Sequence, residues 1–284
     1  MKMIHLRLMV VAFLLPFVGR ASADDAGIKL GLQSWTCRNM NFEQTVAFAE
    51  KHNIKYLQLI SNHLNPDDPI DLNLHKKALV EAKGMKIYTF GVTKTSMDKE
   101  ANRKIFEFAR RMGIGMIVVE PKNMAEWDGL EELVKEYDIK LAIHNHDLNS
   151  VYGNPETVKA ILAKRDKRIG VCLDIGWITA AGFDAAKVFR EYNGRVFDMH
   201  LKDKHIEKDA DGKVIKVDTE IGKGDANYPG LFVEIKKSGW SGVAAIETDS
   251  KAFAENPNRL VKEAQMFFNA MTGAMNGKKS KKGY

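Results

Sequence analysis

Residues 140–202 read KLAIHNHDLNSVYGNPETVKAILAKRDKRIGVCLDIGWITAAGFDAAKVFREYNGRVFDMHLK. Three short apolar runs, 140–146, 170–174 and 196–202, alternate with stretches of helical periodicity at 155–164 and 184–192. That rhythm is the signature of β/α units feeding a parallel sheet. Each run closes on side chains that bind metals or move protons: His144 and His146, then Asp174, then His200 and Lys202.

The alternation continues outward on both sides. Further strands are expected at 29–33, 55–60, 86–90, 116–120 and 242–247, bringing the total to eight. Helical patterns at 42–52, 72–83, 98–111, 128–137, 228–238 and 259–271 separate or follow them. Asn53, Gly84, Gly113, Gly194 and Gly239 stand where helices should stop before the next strand. No Ser/Gly/Pro-rich linker interrupts the pattern, so one domain is expected over 24–276. Eight such units in about 250 residues are the size of a TIM barrel, an α/β protein made of a single (β/α)8 unit. A doubly wound open sheet would carry a glycine-rich phosphate loop after its first strand, whereas residues 33–38 read QSWTCR.

With 45% hydrophobic and 28% charged residues and only seven prolines, the 284-residue chain is neither disordered nor fibrous. Its net charge of +6 is concentrated at the ends: Lys2, Arg7 and Arg20, and Lys278, Lys279, Lys281 and Lys282. Without those seven charges the body stands at −1, and the electrostatic case for a nucleic-acid partner disappears. Residues 1–23 have the basic start, apolar run and Ala21-Ser22-Ala23 close of a cleavable signal peptide. The alternative is an uncleaved anchor. Export would give a secreted or periplasmic protein with no stable membrane insertion, followed at 277–284 by a basic flexible tail. Cys172 falls within the sixth strand and Cys37 just beyond the first, far apart around a barrel, so two thiols are expected rather than a disulfide.

In a barrel, chemistry gathers where strands end. Strands four to eight end in Glu120, His144 with His146, Asp174, His200 with Lys202, and Glu247. Period-two alternation puts His144 with His146, and His200 with Lys202, on shared faces. Carboxylates crowded in one mouth repel, and a divalent cation keeps Glu120, Asp174 and Glu247 ionised together. Mixed carboxylate and imidazole ligation suits Mn, Mg, Co or Zn. Lys202 has a plainer alternative, a salt bridge to Asp203 or another acid. Trp35, Gln58, His63 and Trp177 are the expected substrate contacts, although rim aromatics are as often packing.

These residues resemble the sugar phosphate isomerase/epimerase superfamily of xylose-isomerase-like TIM barrels. The resemblance spans about 28–271 and rests on Val119-Glu120-Pro121, Leu141 to His146, Cys172 to Trp177, His200 to Asp203, Ile221 to Gly224 and Gly242 to Glu247. It implies one divalent metal at Asp174, His200 and Glu247. Epimerases of this group place a glutamate on strand five where this chain has His144, and a histidine where it has Trp177. Members similar to inosose dehydratase carry histidines on strand five, and Glu120 then supplies the missing carboxylate. The related apurinic endonucleases need more histidines than His63 and His205 provide.

The implied chemistry is proton abstraction next to a carbonyl, the cation spreading the charge of an enediolate. Reprotonation gives isomerisation or epimerisation; loss of a β-hydroxyl or alkoxy group gives dehydratase or lyase chemistry. Glu120, His144, Asp174, His200 and Glu247 are the expected ligands, His146 the acid/base, and Lys202 the group that steadies the oxyanion, with Glu120 and Glu247 sharing the catalytic work. The expected partner is a small uncharged keto-sugar, keto-glycoside or keto-inositol, and a homo-oligomer is compatible with the sequence. An exported carbohydrate-binding barrel without catalysis is the competing reading.

Overall fold

A computed structural model describes residues 27–276; the expected signal peptide and basic tail lie outside them. Eight parallel strands close into a barrel in the order β1-β10-β7-β6-β5-β4-β3-β2. The barrel strands are β1 (Ile28–Gln33), β2 (Tyr56–Leu59), β3 (Lys86–Thr93), β4 (Met116–Val119), β5 (Lys140–His144), β6 (Ile169–Asp174), β7 (Val196–Leu201) and β10 (Gly242–Ile246). The single (β/α)8 barrel is therefore present.

The helices between them start and stop on local signals. The helix α1 (Phe42–Lys51) opens on a capping box in which the Asn41 side chain accepts from Gln44 N and Gln44 reaches back. Asp98 caps α3 (Lys99–Met112), and Gly113, at φ +68°, ends it in the left-handed conformation that glycine adopts without strain. The helices α2 (Ile70–Ala82), α4 (Glu126–Tyr137), α5 (Pro155–Lys164), α7 (Ala185–Glu191), α8 (Tyr228–Ser238) and α10 (Asn258–Asn276) complete the ring.

Strand alternation sorts the side chains. Leu57, Ile117, Val119, Leu141, Ile143, Val171, Leu173, Met199, Leu201 and Ile246 belong to the large apolar core shared with the helices. Their neighbours on the opposite face, Val118, Ala142 and Cys172, form a small separate cluster, which places them inside the barrel. Gln58, His144, Asp174, Asp198 and His200 follow these inward positions by the same period of two. Cys37 and Cys172 are both buried free thiols, as expected.

Three elements depart from the expectation. Residues 203–219 form an antiparallel hairpin, β8 (Asp203–Lys208) with β9 (Val214–Thr219), outside the barrel sheet. A short helix, α6 (Ile175–Ala180), starts directly after β6, and α9 (Lys251–Glu255) follows β10. Strands β4, β5, β7 and β10 also stop one or two residues earlier than expected, so Glu120, Lys202 and Glu247 are the first residues beyond their strands and His146 is the second beyond its own.

Candidate active site

Asp174 is the pivot of the site because it ends β6 and caps α6 at once. Its Oδ1 accepts from Trp177 N at 2.8 Å, which leaves Oδ2 turned to the barrel mouth. Around Oδ2 lie His144 Nε2 at 3.4 Å, His200 Nδ1 at 3.5 Å and Lys202 Nζ at 3.0 Å. Glu247 Oε2 stands 3.0 Å from His200 Nδ1 and 2.9 Å from Lys202 Nζ. The register of β6 with β7 pairs Asp174 directly with His200. Strand geometry alone thus brings three of the four groups together.

One donor atom from each of His144, Asp174, His200 and Glu247 fits within 4.8 Å of the others, and all four residues are buried. Both ring nitrogens of His144, Asp174 Oδ2, His200 Nδ1 and Glu247 Oε2 are buried without an aligned hydrogen bond. The two carboxylate oxygens have the Lys202 ammonium at 3.0 and 2.9 Å, and the imidazole nitrogens have carboxylates beside them; a buried set of imidazole and carboxylate donors turned toward one another fits a shared cation.

The charge balance agrees. Asp174, Glu247 and Asp249 each lie 2.9–3.0 Å from the Lys202 ammonium, and Asp218 pairs with Lys204. Four carboxylates therefore face two ammonium groups. Burial opposes an imidazolium at His200, yet Cys172, Glu247 and Asp174 outweigh it and raise His200 well above its ordinary value. Burial likewise opposes charge on His144, and the carboxylates of Asp174 and Glu120 overcome it. Burial would raise the Asp174 carboxyl, but the Lys202 charge and the two imidazoles hold it well below the usual range. Lys202 itself, though buried, is raised by Asp174, Glu247 and Asp249. Its stem runs against Gly176, where an added Cβ would come within 2.6 Å of Lys202 Cγ.

Glu120, also expected among the cation ligands, lies beside His144 and His146, and one donor atom from each of these three also falls within 4.8 Å of the others. His146 Nδ1 lies 2.6 Å from its Oε2, and Ser150 donates to Oε1 at 2.6 Å. His144 Nδ1 is further away, at 3.8 Å. Burial pushes the Glu120 carboxyl up, and the bonds from its histidine and serine neighbours bring it far below the usual range. Glu120 and His146 form a dyad, with the His146 ring 4.6 Å from that of His144 and 5.4 Å from that of Trp177.

The expected substrate contacts divide. Trp177 lines the cavity beside Glu120 and His146, with the Lys204 ammonium 3.9 Å from its ring centroid. Trp35 is half-exposed at the rim and donates to Asp249 Oδ1 at 3.2 Å. Gln58 is fully buried, its Oε1 2.8 Å from His200 Nε2, and so orients the His200 ring. His63 is also fully buried, held between Met40 O and Thr45 Oγ1 behind the barrel mouth. The salt bridge expected as the plainer role of Lys202 exists, with Asp174, Glu247 and Asp249 as its acids. Asp203 instead gathers the backbone N–H groups of Lys204, Gly222, Gly224 and Ala226.

Sequence reasoning passed over Asp249, Asp218 and Lys204. Asp249 follows Glu247 at period two, a usable signal; Asp218 and Lys204 come from the unrecognised hairpin. Asp218 Oδ2 accepts from Thr248 Oγ1 and from the backbone of Asp249 and Ser250, tying that hairpin to the loop after β10.

The chain is 25% identical over 300 residues to an inosose dehydratase of Clostridium perfringens, covering 87% of this chain and 99% of that protein. An uncharacterised protein of Parabacteroides distasonis superposes with a TM-score of 0.63 at 27% identity, over 84% of this chain and 98% of that one. The zinc-bound IOLI protein superposes with a TM-score of 0.65 at 17% identity, over 87% and 99% respectively, a likeness of fold. The family described as the xylose isomerase-like TIM barrel matches residues 46–271. With the closed barrel and its strand-end cluster, that match over most of the chain means that the protein belongs to the xylose isomerase-like TIM barrel family.

Proposed function

We propose that the protein is an exported enzyme, dependent on one divalent cation, that removes a proton next to the carbonyl of a keto-sugar, keto-glycoside or keto-inositol. The observation that carries this reading is the convergence of buried donor atoms from His144, Asp174, His200 and Glu247 beside the Glu120–His146 dyad. Those four residues would hold the cation, which when bound supplies Lewis-acid polarisation of a carbonyl.

The chain's own groups do the rest. Glu120 holds His146 at Nδ1 and thereby fixes the ring, leaving Nε2 to exchange a proton with substrate in the adjoining cavity. Ser150 keeps Glu120 in place through its hydroxyl. Lys202, locked by three carboxylates, is the nearest fixed positive charge for a developing oxyanion. Trp177 lines the cavity next to His146.

The same carbanion-like state leads to isomerisation or epimerisation by reprotonation, or to elimination by loss of a β-substituent. Elimination has the added support of the inosose dehydratase likeness along nearly the whole chain. The test combines elemental analysis with exchange of substrate C–H into deuterated water. Wild type should carry about one cation per chain and catalyse exchange on a keto-sugar, and Asp174→Ala and His200→Ala should lose both. Wild type that cannot be loaded with any divalent cation sinks the proposal.

A further inference from the structure

His146 and Ser150, which hold Glu120 between them, both sit in the loop after β5. No ladder places a loop, so its shape has to come from its own bonds. Those bonds converge on Asp147. Its Oδ1 accepts from Asn149 N at 3.0 Å, its Oδ2 from Asn149 Nδ2 at 3.2 Å, and its carbonyl from Ser150 N at 2.9 Å. That is an Asx turn, and it aims the Ser150 hydroxyl at Glu120 Oε1, 2.6 Å away. The chain then closes tightly over the turn, since a Cβ on Gly153 would come within 1.9 Å of Asp147 O.

A further contact of Asp147 comes from outside the barrel. Lys216, in β9, holds its Nζ 3.0 Å from Asp147 Oδ2. The two side chains are 29% and 14% exposed, so the pair is covered rather than a solvated surface contact. Two residues further along the same face of β9, Asp218 accepts from Thr248 Oγ1 and from the N–H groups of Asp249 and Ser250. One strand is thus pinned to the loop after β10 through Asp218 and to the loop after β5 through Lys216. In the barrel order β7 and β6 lie between β10 and β5, so the hairpin bridges the mouth. Among the described residues, Lys216–Asp147 is the one ion pair joining the hairpin to the loop of the dyad. Asp147 lines the cavity beside His146 and Lys216 does not, so the lysine meets the site through the loop.

We infer that Lys216 is a positioning residue for the Glu120–His146 dyad: its pair with Asp147 fixes the turn that sets His146 and aims Ser150 at Glu120, so a hairpin outside the barrel governs the proton-moving pair without touching it. This inference rests on the proposed role of the dyad in moving the substrate proton.

The experiment measures kcat and KM in the C–H exchange assay, with cation content, for wild type, Lys216→Met, Lys216→Arg, Ser150→Ala and the double variant Ser150→Ala with Lys216→Met. Lys216→Met should lower kcat about tenfold with KM and cation content unchanged, and Lys216→Arg, which keeps the charge, should restore most of the loss. Ser150→Ala should lower kcat as well, and the double variant should lose no more than the larger single loss, because both changes release the same hold on Glu120. An unchanged kcat in Lys216→Met, a rise in KM alone, or losses that add in the double variant overturns the inference while leaving the proposed activity standing. If no keto-sugar turns over, the proposed activity is what fails, and nitrogen NMR of the imidazole rings, with His146 assigned by its loss in His146→Asn, still reads the dyad. His146 signals that shift in Lys216→Met in the direction seen in Ser150→Ala support the positioning role, and signals identical to wild type overturn it.

Discussion

Loading the metal-free protein with a divalent cation should release protons, and the structure says how many. Asp174, Glu247, Asp249 and Asp218 bring four negative charges to the ammonium groups of Lys202 and Lys204, and Glu120 adds a fifth beside His144. The carboxylates outnumber the ammonium groups. His144 and His200, both raised above the ordinary imidazole value, answer that excess as imidazolium ions. A dication delivers the same charge and needs both lone pairs, so at pH 6 its binding should expel about two protons. The sign follows from the raised values: the imidazoles are charged below their shifted pKa and lose that charge as pH rises, so cation affinity climbs with pH. The apparent association constant should rise by about two decades per pH unit while both rings are protonated, then level off. Calorimetric titrations in buffers of different ionisation enthalpy count the protons directly. His144→Gln should lower the count by about one. Tight binding with no proton release, or an unchanged count in His144→Gln, refutes the charge argument.

Two further outcomes follow from groups around the cluster. Asp198 is buried beneath His200, accepts from Tyr88 OH at 3.0 Å, and has its carboxyl pushed up by burial to about 6. A carboxyl raised in the folded state favours folding at low pH and loses that advantage as pH rises through the shifted value. Asp198→Asn should therefore stabilise the protein by up to about 3 kcal/mol at pH 7.5 and by little at pH 4.5, read from thermal or denaturant melts; equal effects at both pH values contradict it. Gly176→Ala would force the Lys202 stem aside. Its kcat/KM should fall by about a hundredfold, with a loss of stability of about 1–3 kcal/mol from the overpacked contact, and wild-type turnover would show that Lys202 needs no fixed position.

The barrel was legible because its two periods are enforced by the backbone. Apolar runs such as Ile169–Asp174 are buried along their whole length, as parallel strands must be, and helix stops at Asn53, Gly84, Gly113, Gly194 and Gly239 all adopt positive φ. The hairpin at 203–219 was not legible in that scheme. Its alternation is muted because both faces carry charge, in the run Lys204 to Lys208 and again at Lys213 to Asp218. The Asp211-Gly212 step, with Gly212 at φ +80°, was the available signal. The short helix α6 was hidden because one residue, Asp174, serves both as strand end and as helix cap.

The same distinction explains the site. Side chains that end a strand are placed by the hydrogen-bond ladder, so Asp174 beside His200 follows from register, and Glu247, one residue past the last pair of β10 with β7, is still held by its N–H to Leu201 O. Beyond the ladder, period two still gives the face but no longer gives the partner. Glu120 points into the mouth as expected, and its nearest partners, His146 and Ser150, both come from the loop after β5. Gln58 shows the converse: an inward position read correctly, whose Oε1 meets His200 Nε2 at full burial. A cluster carried by strands can be read from one sequence, whereas the Glu120–His146 dyad depends on a loop, and loops are where members of one barrel family differ in chemistry.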